Sequence, residues 1–238
     1  MSNNYFRFKE FIIYQDNCGM KVNTDSVLLG CYTNPGNARN ILDVGTGTGL
    51  LAIQLSFETS SPIVAIEIDH QAYEQACSNV AINHKEHQIT VINEDFNKYN
   101  PSCKFDLIIC NPPYFETGSP TRSEKRNVAR YTGNLTHEDL ISRSKELLSD
   151  SGILAVCLPF QAAEHIKNTS DSTSFKLVKN VYVFPKEEKD CYLELLFWQN
   201  NKEPNAEIPL TESLTIRAKD NSYTDEYKNK TKKLYLAF

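Results

Sequence analysis

The chain is short of everything that would tie it to a membrane, a metal or an oxidising compartment. Its N-terminus, MSNNYFRFKEFIIYQDN, holds no apolar run long enough for the central region of a signal peptide or for a membrane span. Seven cysteines, at 18, 31, 77, 103, 110, 157 and 191, form an odd set without a C-x-x-C pair. That usage suits reduced thiols in a cytoplasm and argues against a disulfide framework or a cysteine zinc site. The five histidines are scattered, none at ligand spacing from a cysteine or another histidine, so no metal is expected. No internal repeat or low-complexity block occurs. What remains is an ordinary globular composition, 40% hydrophobic and 23% charged over 238 residues, the size of one large domain.

Net charge is −5, which taken as a sum argues against a nucleic-acid partner. The distribution is uneven. TRSEKRNVAR (121–130) sets Arg122, Lys125, Arg126 and Arg130 against Glu124 alone, and 217–238 sets six Lys and Arg against three acids. Two basic stretches on an acidic body could form a phosphate-binding surface, but charge alone favours solvated faces.

Five apolar runs are short, nearly continuous and rich in leucine or β-branched residues: NILDVG (40–45), IVAIEID (63–69), ITVINED (89–95), FDLIICN (105–111) and GILAVCLP (152–159). Continuous runs belong to strands buried on both faces of a parallel sheet. Between them lie helical patterns, GLLAIQLSF, QAYEQACSNVAINH and LTHEDLISRSKELLSDSG. The last opens on a capping box, Thr136-x-x-Asp139, and is expected to end near Gly152. KLVKNVYVF (176–184) and CYLELLFWQ (191–199) are separated only by a charged turn, which leaves room for an antiparallel hairpin and none for a helix. The pattern predicts an α/β domain with right-handed crossovers. Ahead of it, NTDSVLLGCY (23–32) reads as a helix capped by Asn23 or Thr24. Behind it come a linker at 200–209, one further strand in SLTIRA, and a basic helix in YTDEYKNKTKKLYLAF.

LDVGTGTGLLAI (42–53) places Gly45, Gly47 and Gly49 between the first strand of the core and its first helix, where bare backbone can approach a ligand at the helix N-terminus. The spacing is not the G-x-G-x-x-G of dinucleotide folds, because position 50 is Leu and the third glycine comes one residue early. The pattern D-x-G-x-G-x-G instead resembles motif I of class I S-adenosylmethionine-dependent methyltransferases. That resemblance implies a Rossmann-like, mostly parallel sheet of seven strands with a C-terminal antiparallel hairpin strand and helices on both faces. It implies S-adenosyl-L-methionine as cofactor, S-adenosyl-L-homocysteine as product, and no metal. Asp43, Gly45, Thr46, Gly47 and Gly49 would cradle the cofactor. Glu67, with Asp69 close by, would take the ribose hydroxyls, and Asp95 and Phe96 would meet the adenine amine and face.

Asn111-Pro112-Pro113-Tyr114 leaves the fourth strand of the core at the sheet's carboxyl edge, where α/β ligands sit. Two consecutive prolines remove two backbone donors and hold the chain extended. The stretch resembles motif IV, (D/N/S)-PP-(Y/F/W), of methyltransferases acting on planar amino nitrogens. An amine conjugated to a ring is a poor nucleophile. In this resemblance the Asn111 side-chain oxygen and the Pro112 carbonyl each accept one N–H, favouring a tetrahedral nitrogen whose lone pair faces the methyl group. Pro113 fixes the turn and Tyr114 stacks on the flat substrate. Asn111 then borders both cofactor and substrate.

Motif IV beginning with Asn occurs in enzymes acting on adenine N6, on guanine N2 of rRNA, and on a glutamine amide of release factors. The glutamine enzymes carry a sizeable helical domain in front, and DNA adenine enzymes add a large target-recognition domain; neither matches this layout. CGMKVNTDSVLLG (18–30), ARYTGNL (129–135) and the C-terminal YTDEYKNKTKKLYLAF resemble the bacterial tRNA1(Val) (adenine(37)-N6)-methyltransferases. The resemblance covers nearly the whole chain, with a poorly matched patch around 165–190. It implies one methyltransferase domain over 1–238: an extension with a helix (1–38), the cofactor-binding catalytic core (39–199) and a basic extension (200–238). It sets Lys21, Thr24 and Asp25 near the methionine end of the cofactor, although Thr24 and Asp25 also read as helix-capping residues. The partner it implies is tRNA, contacted by Tyr114, Arg122, Lys125, Arg126 and Arg130, with no membrane and no obligate protein partner. An anticodon-loop adenosine is already unpaired, and RNA loops are read by stacking and phosphate contacts.

Overall fold

A computed structural model describes residues 4–112, 135–170, 175–201 and 208–238. The chain opens with a hairpin, β1 (Tyr5–Arg7) and β2 (Ile12–Tyr14), followed by α1 (Thr24–Tyr32). Then come β3 (Ile41–Val44), α2 (Leu50–Leu55), β4 (Ile63–Glu67), α3 (His70–Ile82), β5 (Ile89–Asn93) and β6 (Phe105–Cys110). The second half holds α4 (His137–Leu147), β7 (Leu148–Pro159), α5 (Phe160–Ser170), β8 (Phe175–Phe184), β9 (Leu193–Asn200), β10 (Leu210–Thr215) and α6 (Asp225–Thr231).

The main sheet runs β10-β8-β9-β7-β6-β3-β4-β5, and β9 alone opposes its neighbours. The expected seven strands are therefore eight. The eighth among the described residues is β10, parallel to β8 from Leu210↔Lys179 to Thr215↔Phe184; it overlaps the further strand expected in SLTIRA and begins three residues earlier. Its apolar signal is faint because, as an edge strand, it buries only Leu214 fully. A second difference lies at Gly152. The helix read as ending there stops at Leu147, and Gly152 sits inside β7. A Cβ at that position would stand 2.9 Å from the Phe105 carbonyl oxygen, so the glycine serves close strand packing, which helical spacing cannot reveal.

The continuous apolar runs are explained by two cores, one on each face. Along β7, Ala155 and Cys157 join α1, α2 and α3 in one core, while Leu154, Val156 and Leu158 join α4 and α5 in the other. The N-terminal hairpin is tied to α3 by carboxamides. Asn83 takes Ile12 N–H at 3.0 Å and returns Nδ2 to Ile12 O at 2.8 Å; Asn79 does the same for Tyr14 at 2.9 and 2.8 Å. The C-terminal extension also packs inward. Tyr227 and Thr231 are buried, and Lys9 Nζ donates to the carbonyls of Lys232 and Phe238, both at 2.6 Å.

Candidate active site

β3 is the point where the strand order reverses, with β4 on one side and β6 on the other. A ligand cleft is expected beyond the carboxyl end of such a strand, and one of about 1130 Å³, measured out to solvent, lies there. Gly45 and Gly47 form its floor with φ of 65° and 57°, a conformation that side chains resist. A Cβ on Gly45 would meet no atom within 4 Å, so the missing side chain leaves open space for a ligand. Gly49, also at positive φ, is the N-cap of α2 and packs against Ala76 rather than lining the cleft.

Asp43 braces this turn from below. Fully buried, its Oδ2 accepts from Thr46 Oγ1 at 2.6 Å and from Ala52 N–H at 3.1 Å, and burial pushes its carboxyl up to about 7. Glu67, at the end of β4, lines the cleft and holds two backbone donors, Gly47 N–H at 2.8 Å and Asp69 N–H at 2.9 Å. Burial raises its pKa as well. Asp69 is the N-cap of α3, accepting from Gln71 and Ala72 N–H, and stays outside the cleft. Asp95 and Phe96 line the far end.

At the opposite end Asn111 and Pro112 follow β6 into the cleft. The Asn111 Nδ2 donates to Ser26 Oγ at 2.6 Å, and its Oδ1 is buried with no partner among the described residues. A buried acceptor left open beside a cleft is a group awaiting a donor. Lys21 lines the cleft too, but Thr24 and Asp25 do not. Thr24 bonds the Tyr227 hydroxyl, and Asp25 accepts from the Tyr192 hydroxyl at 2.8 Å. Both residues tie α1 to the C-terminal half of the chain. Pro113, Tyr114, Arg122, Lys125, Arg126 and Arg130 lie outside the described residues.

Three contributors escape a reading of motifs. Ser26 and Met20 line the cleft beside Asn111, and Asn79 donates to the Thr48 carbonyl behind the glycine turn at 2.8 Å. Met20 and Ser26 fall within the CGMKVNTDSVLLG stretch quoted above, but each of the three acts across tens of residues, and no local pattern reveals such a contact. Among the described residues no group of three or more His, Cys, Asp or Glu could hold a metal ion, and no helix is long and apolar enough to cross a membrane.

The family described as methyltransferase small domain matches residues 20–181. A Bacteroides fragilis (strain YCH46) protein named tRNA1(Val) (adenine(37)-N6)-methyltransferase is 35% identical over 239 residues, covering 99% of each chain. A Salmonella arizonae protein of the same name is 36% identical, over 98% of this chain and 95% of its own. Among solved structures, a predicted O-methyltransferase from Agrobacterium tumefaciens superposes with a TM-score of 0.67 at 15% identity, covering 88% of this chain and 96% of its own.

Proposed function

The chain belongs to the tRNA1(Val) (adenine(37)-N6)-methyltransferase family, within the methyltransferase small domain, and we propose that it methylates N6 of adenosine 37 in the anticodon loop of a valine tRNA, in the cytoplasm. The observation that carries this reading is Asn111, which lines the cleft where the sheet reverses and whose buried Oδ1 has no partner among the described residues.

The residues present fit S-adenosyl-L-methionine. The side-chain-free turn at Gly45 and Gly47 leaves room for a ligand against the backbone, Glu67 offers carboxylate oxygens to ribose hydroxyls, and Asp95 and Phe96 offer an acceptor and an apolar face to adenine. Thr46 completes the turn, Asp43 and Gly49 hold its shape from outside the cleft, and Asp69 caps α3. Lys21 lines the same cleft and suits a carboxylate. Thr24 and Asp25 act by anchoring α1. When bound, the cofactor supplies an electrophilic methyl group on a sulfonium.

The chain's own part is to prepare the amine. Asn111 Oδ1 and the Pro112 carbonyl accept the two N6 hydrogens, which withdraws the lone pair from the ring and turns it towards the cleft. These acceptors are fixed before substrate arrives, so little reorganisation is needed as positive charge develops on nitrogen. Alignment accounts for much of the acceleration, up to about 7–11 kcal/mol in well-oriented reactions. Tyr114 stacks on the base, and Arg122, Lys125, Arg126 and Arg130 contact loop phosphates.

The test is methyl transfer from labelled cofactor to bulk tRNA with nucleoside mapping. N6-methyladenosine at one position of a valine tRNA is expected. Label in rRNA guanosine or a release-factor glutamine would redirect the assignment, and cofactor binding without transfer to any of them would leave a non-catalytic RNA-binding module. Asn111→Ala should abolish turnover while calorimetry with S-adenosylhomocysteine still reports binding.

A further inference from the structure

A carboxamide has two ends of opposite hydrogen-bonding character and nearly equal shape, so a mechanism that needs the Asn111 oxygen needs something to choose that end. Rotation by half a turn would set the NH2 against the amine's own N–H groups, donor against donor. The choice falls to the surroundings of Nδ2. It donates to Ser26 Oγ at 2.6 Å and lies 3.9 Å from Met20 Sδ.

The two neighbours do different things. A serine hydroxyl is both donor and acceptor, so Ser26 could bond either end of the amide; it fixes the plane and distance. A thioether sulfur carries no hydrogen and can only accept. Placed against Nδ2, Met20 is compatible with the NH2 there and unfavourable for the carbonyl, whose lone pairs would face those of sulfur. Asn23, the N-cap of α1, accepts from Ser26 N–H at 2.9 Å through Oδ1 and donates to Met20 Sδ at 3.2 Å through Nδ2. One capping residue therefore sets both neighbours, and α1 is anchored in turn by Asp25 to Tyr192.

We propose that Ser26 and Met20 are positioning residues that lock the Asn111 carboxamide with its oxygen towards the amine, so that the segment ahead of the catalytic core sets the polarity of the catalytic clamp. This rests on the assignment of Asn111 as the amine acceptor. It accounts for two facts together: Nδ2 has acceptors for both hydrogens, and Oδ1 has no partner among the described residues.

The experiment compares the full-length chain with Ser26→Ala, Ser26→Thr and Met20→Leu on an unmodified valine tRNA transcript. Ser26→Ala and Met20→Leu should each lower kcat by about 3–10-fold, the loss expected for one neutral hydrogen bond. The affinity for S-adenosylhomocysteine should stay within about twofold, and Ser26→Thr, which keeps the hydroxyl, should recover kcat. In the cofactor-free protein, the Asn111 side-chain amide signals in 15N–1H spectra are assigned by their loss in Asn111→Asp. They should be resolved and exchange-protected in the parent and lose that protection in Ser26→Ala. Parent-like kcat in Ser26→Ala, a loss confined to cofactor affinity, or unchanged Asn111 amide signals would each overturn the proposal. A parent enzyme inactive on every tRNA would instead remove the functional reading, and the amide spectra would still judge the lock.

Discussion

Asn79 offers the sharpest check on how the cleft is held. It is fully buried in α3 and makes three tertiary hydrogen bonds: from Tyr14 N–H at 2.9 Å, to Tyr14 O at 2.8 Å, and to Thr48 O at 2.8 Å. Its side chain thus joins the N-terminal hairpin, α3 and the loop that lines the cleft. Asn79→Ala removes all three and strands buried backbone groups. At about 0.5–1.5 kcal/mol per bond the cost comes to about 2–4 kcal/mol, a large share of the ~5–15 kcal/mol that stabilises a typical domain. Urea titration should show a lower midpoint at unchanged slope, and the melting temperature should fall by about 5–15 °C. Asn79→Asp keeps the acceptor for Tyr14 N–H but turns an anionic oxygen on two carbonyls, and should cost at least as much as Ala. Asn83→Ala is the companion variant. It releases Ile12 in the same hairpin but has no bond to Thr48, so it should lower stability and leave cofactor affinity nearly unchanged. A cost below about 0.5 kcal/mol for Asn79→Ala, or equal losses of cofactor affinity in the two alanine variants, would refute this account of the scaffold.

Asp43 makes stability depend on pH. Its folded pKa, raised by burial from 3.8 to about 7, means that the native state binds the extra proton; this contribution is full below about pH 4 and is lost as pH rises through about 7, to a depth of up to about 4 kcal/mol. The neutral amide of an Asp43→Asn variant does not titrate, so the stability of that variant relative to the parent should climb between those limits, and parallel curves would reject the assignment. Lys167 is bonded to the fully buried Glu194 at 2.9 Å. Lys167→Met should cost about 3–5 kcal/mol by leaving that carboxylate without its cation, with the Asn180 hydrogen bond remaining, while the double variant with Glu194→Leu should recover most of it; equal denaturation midpoints for the single and double variants would argue against the pair. Tyr114→Ala should lower kcat/KM on tRNA by about 5–150-fold, equivalent to about 1–3 kcal/mol of base stacking, and a parent-like value would mean that the ring does not stack.

Most of the sheet could be read from sequence because strands covered on both faces must be apolar at successive positions, as NILDVG and FDLIIC are. Helix starts were readable for the same local reason. Asn23 caps α1 and Thr136 with Asp139 forms the capping box of α4, each within three residues of its partner. The β1–β2 hairpin left no signal, since its strands are three residues each and are held by Asn79 and Asn83 from α3.

The glycine turn was legible in sequence alone, because it works through backbone conformation and residue type within a few consecutive positions; the Asn-Pro-Pro-Tyr stretch is recognised by residue type, with Pro113 and Tyr114 outside the described residues. What only the tertiary structure decided is how those pieces are braced. Asp43 lies beneath the turn, Thr24 and Asp25 bond to distant tyrosines, and Ser26 reaches Asn111 across 85 positions. Such contacts join single polar side chains through a packed interior, where a lone hydroxyl or amide matters greatly and leaves no periodic trace in the chain.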